Sequence, residues 1–324
     1  MRFGLVGNNL YGQMFTRGVN ALEDCKVVAI CPDLDENLDP LANDFSLKKY
    51  EDLETMMQTE TMDVVLLASV TRHHAQQAIS VLKHGFHVVV DRPMAFTVSE
   101  CEQVVKCSEE AGKLVIVAQV LNFWPEYVKI REMISAGALG TITNVTTSRV
   151  AGLINSDWAH RLLNPEWGFG GLEALVHDID FLNRLWGEPE LIKTHGNYSK
   201  GNGFSQVHAL LNYNGLRAGI ESDYGVPYSY PLTMYFRAVG TKGTLQFVFR
   251  GALAKQATSS RSITFFQQDS EPQNIEVPIY DAFQSLAAHF VACISSNKTP
   301  DWGNMYQAKS NLETLVKIAD LLRI

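Results

Sequence analysis

The chain has 324 residues, 46% of them hydrophobic and 19% charged, a composition that can bury a real core and excludes an intrinsically disordered polymer. Its formal net charge of -8, spread without a basic block, argues against nucleic acid or an anionic membrane as the main partner and favours a small, neutral or modestly polar molecule. Five cysteines, at positions 25, 31, 101, 107 and 293, form an odd set with no CxxC pair and no histidine at zinc-like spacing. Neither a disulfide framework nor a metal site is expected.

Met1 leads straight into RFGLVG, with no basic start and no apolar stretch of signal or membrane-spanning length, so a cytoplasmic protein is expected. The length implies about two domains, and the pattern of the chain divides near residue 120. In the first part, FGLVG, KVVAIC, DVVLLAS, FHVVVD and KLVIVAQ are almost continuously apolar, as parallel strands covered on both faces must be. Helical segments alternate with them, from His74 to His84 and from Thr97 to Gly112. The second opens with the Thr97 and Glu100 spacing of a capping box and stops at a glycine. Strand and helix in alternation predict a doubly wound parallel sheet over residues 1–120.

From residue 121 to 324 the pattern changes to an α+β domain with a large open sheet. NFWPEYVKIREMISAGALG reads as a helix ending at Gly137 or Gly140. Alternating strands follow TITNVTTSRVA, with candidates at Leu191 to Ser199, Phe204 to Tyr213, Leu216 to Asp223, Leu232 to Val239, Thr244 to Phe249 and Ser262 to Gln268. Turns such as YNG and GTKGT separate them, so the sheet is expected to be mainly antiparallel. A last amphipathic helix runs from about Met305 to Leu322.

GLVGNNLYG places Gly7, Asn9 and Gly12 on the GxGxxG spacing of a dinucleotide loop, directly after a strand and opening a helix at Leu10. Gly7 permits the tight turn, the middle position lets the backbone approach a pyrophosphate, and Gly12 lets helix pack on strand. Asn9 holds the middle position; asparagine tolerates positive φ better than other side chains, and its amide is a candidate phosphate contact. Asp33 lies about 20 residues past the loop, where an acid takes the ribose hydroxyls. No Lys or Arg follows closely to meet a 2′-phosphate. NAD is therefore the expected cofactor, with NADP open.

In GGLEALVHDIDFLNRLWG, Glu173, His177, Asp180 and Arg184 fall within a stripe about 60° wide on a helix whose remaining surface is largely apolar. Such a stripe is either the wall of a cleft or a solvated face stitched by ion pairs.

The chain resembles the Gfo/Idh/MocA oxidoreductases, the glucose-fructose oxidoreductase and inositol dehydrogenase family, over essentially its full length. The likeness rests on GLVGNNLYG, SVTRHHAQQAISVLKHGFHVVVDRP, FWPEYVKIREMISAGALGTI, GGLEALVHDIDFLNRLWG and AVGTKGTL. It implies a Rossmann domain, a second domain whose open antiparallel sheet carries substrate, a nicotinamide cofactor, and hydride transfer to or from a sugar, cyclitol or related polyol. The family's Glu-Lys-Pro triplet matches Asp91, Arg92 and Pro93. The resemblance places the pair at the nicotinamide and substrate end of the site. Lysine there assists proton movement, whereas an arginine stays protonated and can only bind or stabilise charge. Ser69, Val70 and His74 match the family's loop after the third core strand and are candidates for the cofactor wall; adjacent His73 and His74 lack a third ligand nearby.

The family's Asp and His, four residues apart, match Glu173 and His177. The resemblance thus implies His177 as general base or acid, which suits a group titrating near neutrality, and Glu173 to orient it or grip substrate. Asn122 stands where a subgroup of the family has arginine. Trp124, Trp158 and Trp167 could stack on a sugar but equally well belong to a core. Two other readings stay open. One is a non-catalytic dinucleotide or sugar-binding regulator, since members lacking the lysine include a yeast galactose repressor. The other is an NAD-dependent glycosidase, in which oxidation is transient. A homodimer or homotetramer through the second sheet is expected.

Overall fold

The computed structural model describes residues 1–34, 37–152, 164–199, 203–252 and 255–322. It divides into two compact units: Met1–Phe123 together with Tyr280–Leu312, and Trp124–Ile279 together with Glu313–Ile324.

The first unit alternates strand and helix as its apolar runs require: β1 (Arg2–Val6), α1 (Leu10–Asn20), β2 (Lys26–Cys31), α2 (Asp39–Phe45), β3 (Lys48–Lys49), α3 (Leu53–Thr59), β4 (Val64–Leu67), α4 (Thr71–Lys83), β5 (His87–Asp91), α5 (Val98–Ala111) and β6 (Val115–Ala118). The strands pair in parallel in the order β3-β2-β1-β4-β5-β6. Every residue of β4 and of β6 is buried, which is why these strands read as unbroken hydrophobic runs. α5 begins with the expected capping box, Thr97 and Glu100 each bonding the other's backbone N–H, and ends at Gly112 in the left-handed region, φ 62°.

The second unit contains α6 (Pro125–Ser135), β7 (Ile142–Val150), α7 (Leu172–Trp186), β8 (Glu190–Ser199), β9 (Gly203–Tyr213), β10 (Leu216–Asp223), β11 (Leu232–Gly240), β12 (Gly243–Ala252), β13 (Lys255–Phe266) and β14 (Gln273–Ile275). Their order is β14-β13-β12-β11-β7-β10-β9-β8. The sheet is mixed: β7 and β10 run parallel, while the other neighbours are antiparallel. The YNG turn joins β9 to β10 with positive φ at both Asn214 (47°) and Gly215 (96°), the geometry that fits the twist of a hairpin. Under α7, the rings of Tyr127, Phe181, Phe236 and Phe247 meet edge to face with centroids 5.0–6.4 Å apart, an arrangement that adds attraction to the buried area.

Two helices follow, α8 (Ala282–Ser296) and α9 (Met305–Leu322). α8 belongs to the first unit, although the sequence reading assigned all of residues 121–324 to the second. Its place there has a local cause: Phe283 packs on Tyr11 and Phe15 of α1 at 6.3 and 5.4 Å. The backbone of Phe283 also comes so close to Gly18 that a Cβ there would lie 2.6 Å from its carbonyl oxygen. Trp158 lies outside the described residues.

Candidate active site

At the carboxyl end of β1 the chain turns through Gly7 at φ +88°, and a Cβ on Gly7 would run into the carbonyl oxygen of Ala68. Only glycine fits this cradle, on both conformational and steric grounds. The Gly7 N–H bonds the Cys31 carbonyl at 3.0 Å, so the loop is fastened to the end of β2. Gly12 lies against Ala68, where a Cβ would be 3.2 Å from that side chain. Asn9 departs from expectation. Its φ is -76°, and it acts as the N-cap of α1, its Oδ1 accepting the Gly12 N–H at 2.8 Å. A side-chain cap suits asparagine well, and it takes up one of the amides that α1, starting at Leu10, would otherwise point at an anion.

Asp33 is also more engaged than its position implied. Its side chain is 1% exposed, and three donors converge on the carboxylate: the Val70 N–H at 2.9 Å, Nδ1 of His73 at 2.7 Å and Nε2 of Gln77 at 2.9 Å. Val70 is the N-cap residue of α4 and brings no side-chain cap of its own. Asp33, just past the end of β2, accepts the N–H of that N-cap residue and sets a negative charge at the positive end of the helix. Ser69 donates to Gln77 at 2.6 Å. His74 is buried with Nδ1 2.7 Å from the Pro93 carbonyl and Nε2 3.1 Å from that of Ser69. The loops after β2, β4 and β5 are thereby tied into one rim.

Asp91 and Arg92 close that rim at the end of β5, 4% and 7% exposed respectively. They are not a surface ion pair. Asp91 accepts the backbone N–H of Arg92 at 2.8 Å, while their charged groups stay 3.9 Å apart. The guanidinium instead donates to the Tyr11 hydroxyl at 2.8 Å and lies 4.6 Å from the centre of the Tyr11 ring. Tyr11 was missed from sequence, because its tie to Arg92 spans 81 positions.

In the second unit, α7 carries the other candidates. Glu173, His177 and Asp180 are 7%, 6% and 4% exposed, which rules out a solvated face. Glu173 accepts the Phe169 N–H at 3.1 Å, and a Cβ on Gly168 would strike its carboxylate. The first glycine of the GFGGLE stretch thus leaves room for the carboxylate as it is placed, and a larger residue there would have to displace it. Asp178, also missed, forms a buried pair with Arg149 of β7, Nε to Oδ2 at 2.6 Å, and Arg149 donates to the Tyr127 hydroxyl at 3.3 Å. Burial pushes the Asp178 carboxyl above its usual range although Arg149 pulls it down. A signal for this pair existed. Asp178 interrupts the apolar arc of α7 and Arg149 the inward-facing alternation of β7, and two buried charges of opposite sign need each other.

Among the described residues no group of three or more His, Cys, Asp or Glu could hold a metal ion, and no helix is long and apolar enough to cross a membrane.

Residues 1–119 match the model of the oxidoreductase family with an NAD-binding Rossmann fold, and residues 127–246 match the GFO/IDH/MocA C-terminal domain. The chain is 24% identical over 260 residues to the 2,7-anhydro-N-acetylneuraminate hydratase of Escherichia coli, a match covering 76% of this chain and 67% of that one. It is 25% identical over 230 residues to the NADP-dependent scyllo-inositol 2-dehydrogenase of Bacillus subtilis, covering 67% and 68%. Among solved structures, the 3-ketoreductase KijD10 of Actinomadura kijaniata, in complex with TDP-benzene and NADP, superposes with a TM-score of 0.87 at 17% identity, covering 99% and 98% of the two chains. The aldose-aldose oxidoreductase of Caulobacter crescentus gives 0.84 at 19%, covering 100% and 97%. The glycine cradle, the start of α1 and the buried rim fit an NAD(P) cofactor, and with both domain models matched in order the chain belongs to the Gfo/Idh/MocA oxidoreductase family.

Proposed function

We propose that the protein is an NAD(P)-dependent oxidoreductase that moves a hydride between nicotinamide and a ring carbon of a sugar, cyclitol or related polyol. The observation that carries this reading is the burial of Glu173, His177 and Asp180 along one stripe of α7, which a solvated helix would not show. When bound, the nicotinamide supplies the hydride acceptor or donor. His177 takes the hydroxyl proton as the carbonyl forms, and returns it in the reverse direction. Glu173, with one oxygen on the Phe169 N–H, grips a substrate hydroxyl or orients the imidazole. Arg92 keeps its charge throughout, so its part is to stabilise a developing alkoxide while Tyr11 fixes the guanidinium plane. In the first unit, Gly7, Asn9, Leu10 and Gly12 form the phosphate end of the site; Asp33, Ser69, Val70, His74 and Asp91 build its wall.

The test follows nicotinamide absorbance across a panel of polyols and keto-sugars with wild type, Arg92→Lys and His177→Ala. Turnover by wild type and a loss of about 100-fold or more in His177→Ala is expected. Tight dinucleotide binding with no conversion of any substrate by any form would instead establish a binding protein that has lost the chemistry.

The relative named as a hydratase supports a second reading, in which oxidation and reduction occur within one turnover. Net absorbance would then stay constant while substrate disappears, which chromatography of the same reactions detects. A homodimer or homotetramer joined through the open face of the second sheet goes with either reading, as does a cytoplasmic location.

A further inference from the structure

In a Rossmann unit the adenine ribose lies at the carboxyl end of the second strand, where an acid conventionally accepts the 2′ and 3′ hydroxyls. Here that acid is Asp33, and its carboxylate is spent on the chain itself. Three donors from the Val70 to Gln77 segment fill most of its lone-pair sites, and only 1% of the side chain is exposed. Beside it, the ring that Asp33 holds is partly exposed: the His73 side chain is 29% accessible. Facing a carboxylate at 2.7 Å, Nδ1 of His73 carries a proton. Its Nε2 then has two uses. In the neutral ring it accepts, which suits a ribose hydroxyl; in the imidazolium it donates, which suits a phosphate oxygen.

We propose that His73, held by Asp33, reads the 2′ position of the adenine ribose and admits both the plain and the 2′-phosphorylated dinucleotide, Asp33 being a positioning residue at the start of α4. On this proposal the choice between NAD and NADP, open from the sequence, is set by His73 in place of a direct contact from Asp33 to the ribose. The proposal rests on the dinucleotide-binding reading of the first unit and not on turnover.

The test is direct titration of NADH and NADPH, by fluorescence or calorimetry without substrate, against wild type, His73→Leu, His73→Gln and Asp33→Asn, with the melting temperature of each protein alone as a control. Wild type is expected to bind both dinucleotides with dissociation constants within about tenfold of each other. His73→Leu weakens NADPH by about tenfold or more, the scale of one charge-assisted hydrogen bond, and NADH by less. His73→Gln, which can still donate to Asp33 and to a phosphate, recovers part of that loss. Asp33→Asn lowers the melting temperature and weakens both dinucleotides by a similar factor, because it loosens the wall and not a ribose contact. If Asp33→Asn instead weakens NADH alone and tightens NADPH, the acid is the reader and the proposal falls. It falls equally if His73→Leu leaves the NADPH to NADH ratio unchanged, a result that needs no folded Asp33 variant. Binding of neither dinucleotide by wild type would remove both this proposal and the cofactor assignment. Binding without turnover would leave it standing and remove only the oxidoreductase reading.

Discussion

Gly7 is the position at which, on the proposed reading, one methyl group would decide cofactor binding. A Gly7→Ala side chain would meet the Ala68 carbonyl at a backbone φ of +88°, so the loop must open. The expected result is loss of measurable NADH binding in a calorimetric titration, with a lowered melting temperature. Asn9→Ala, by contrast, removes only the cap on Gly12 and should cost about 1 kcal/mol in a denaturant titration. Both positions were legible from the GxGxxG spacing, and so was the pairing of Glu173 with His177 on one helical face. What could not be read is the company these side chains keep. Asp33 and His73 are 40 positions apart and Arg92 and Tyr11 are 81 apart. Spacing rules reach only across one turn of helix or one pair of neighbouring strands. The position of Asp33 could thus be read from sequence while its engagement could not.

At the scale of elements, the rotation of α7 is set from behind. Asp178 is locked on Arg149, and His177 is one residue, about 100°, around the same helix. Asp178→Asn leaves a buried guanidinium without its counter-charge and should destabilise the protein by about 3 kcal/mol, read in denaturant titrations. Arg149→Met combined with Asp178→Leu should recover much of that loss. A second expectation concerns acid. Burial, then the Lys113 charge, holds the His87 imidazole below its usual range against the pull of Asp63, and its Nδ1 accepts the Leu114 N–H at 3.1 Å. The unfolded chain protonates this ring near pH 6.5 while the folded one resists. Stability from His87 is therefore held above about pH 6.5 and lost as the pH falls below it. His87→Asn, which keeps an acceptor for Leu114, should flatten the acid limb of melting temperature against pH. Most of the strands and α9 could be placed from alternation and periodicity to within a few residues, but β13 begins at Lys255, well before the expected Ser262, and the short β3 and β14 carry no alternation to read. α8 could not be placed, because AFQSLAAHFVACISS is apolar on most faces and gives no sharp stripe.

For the whole molecule, the division into units is the feature that sequence pattern misjudged. Composition changes near residue 120, and the boundary was drawn there; nothing in that change signals that Tyr280–Leu312 returns to the first unit. The return depends on a close approach between Gly18 and Phe283, a steric fact without a periodic signature. Gly18→Leu should force α8 off α1 and lower the melting temperature by several degrees, a loss of the order of 1–3 kcal/mol. A fragment ending at residue 123 should be open to limited proteolysis within α1 under conditions where the full chain resists, since Phe15 and its neighbours lose their cover.

That same return has a consequence for how the protein is made. A ribosome completes the six parallel strands early, yet the segment that shields Phe15 emerges only after the entire mixed sheet has been translated. Throughout that interval the nascent chain displays an uncovered aromatic flank, so the order of synthesis, and any chaperone that attends it, bears on the yield of this enzyme as much as its final stability does.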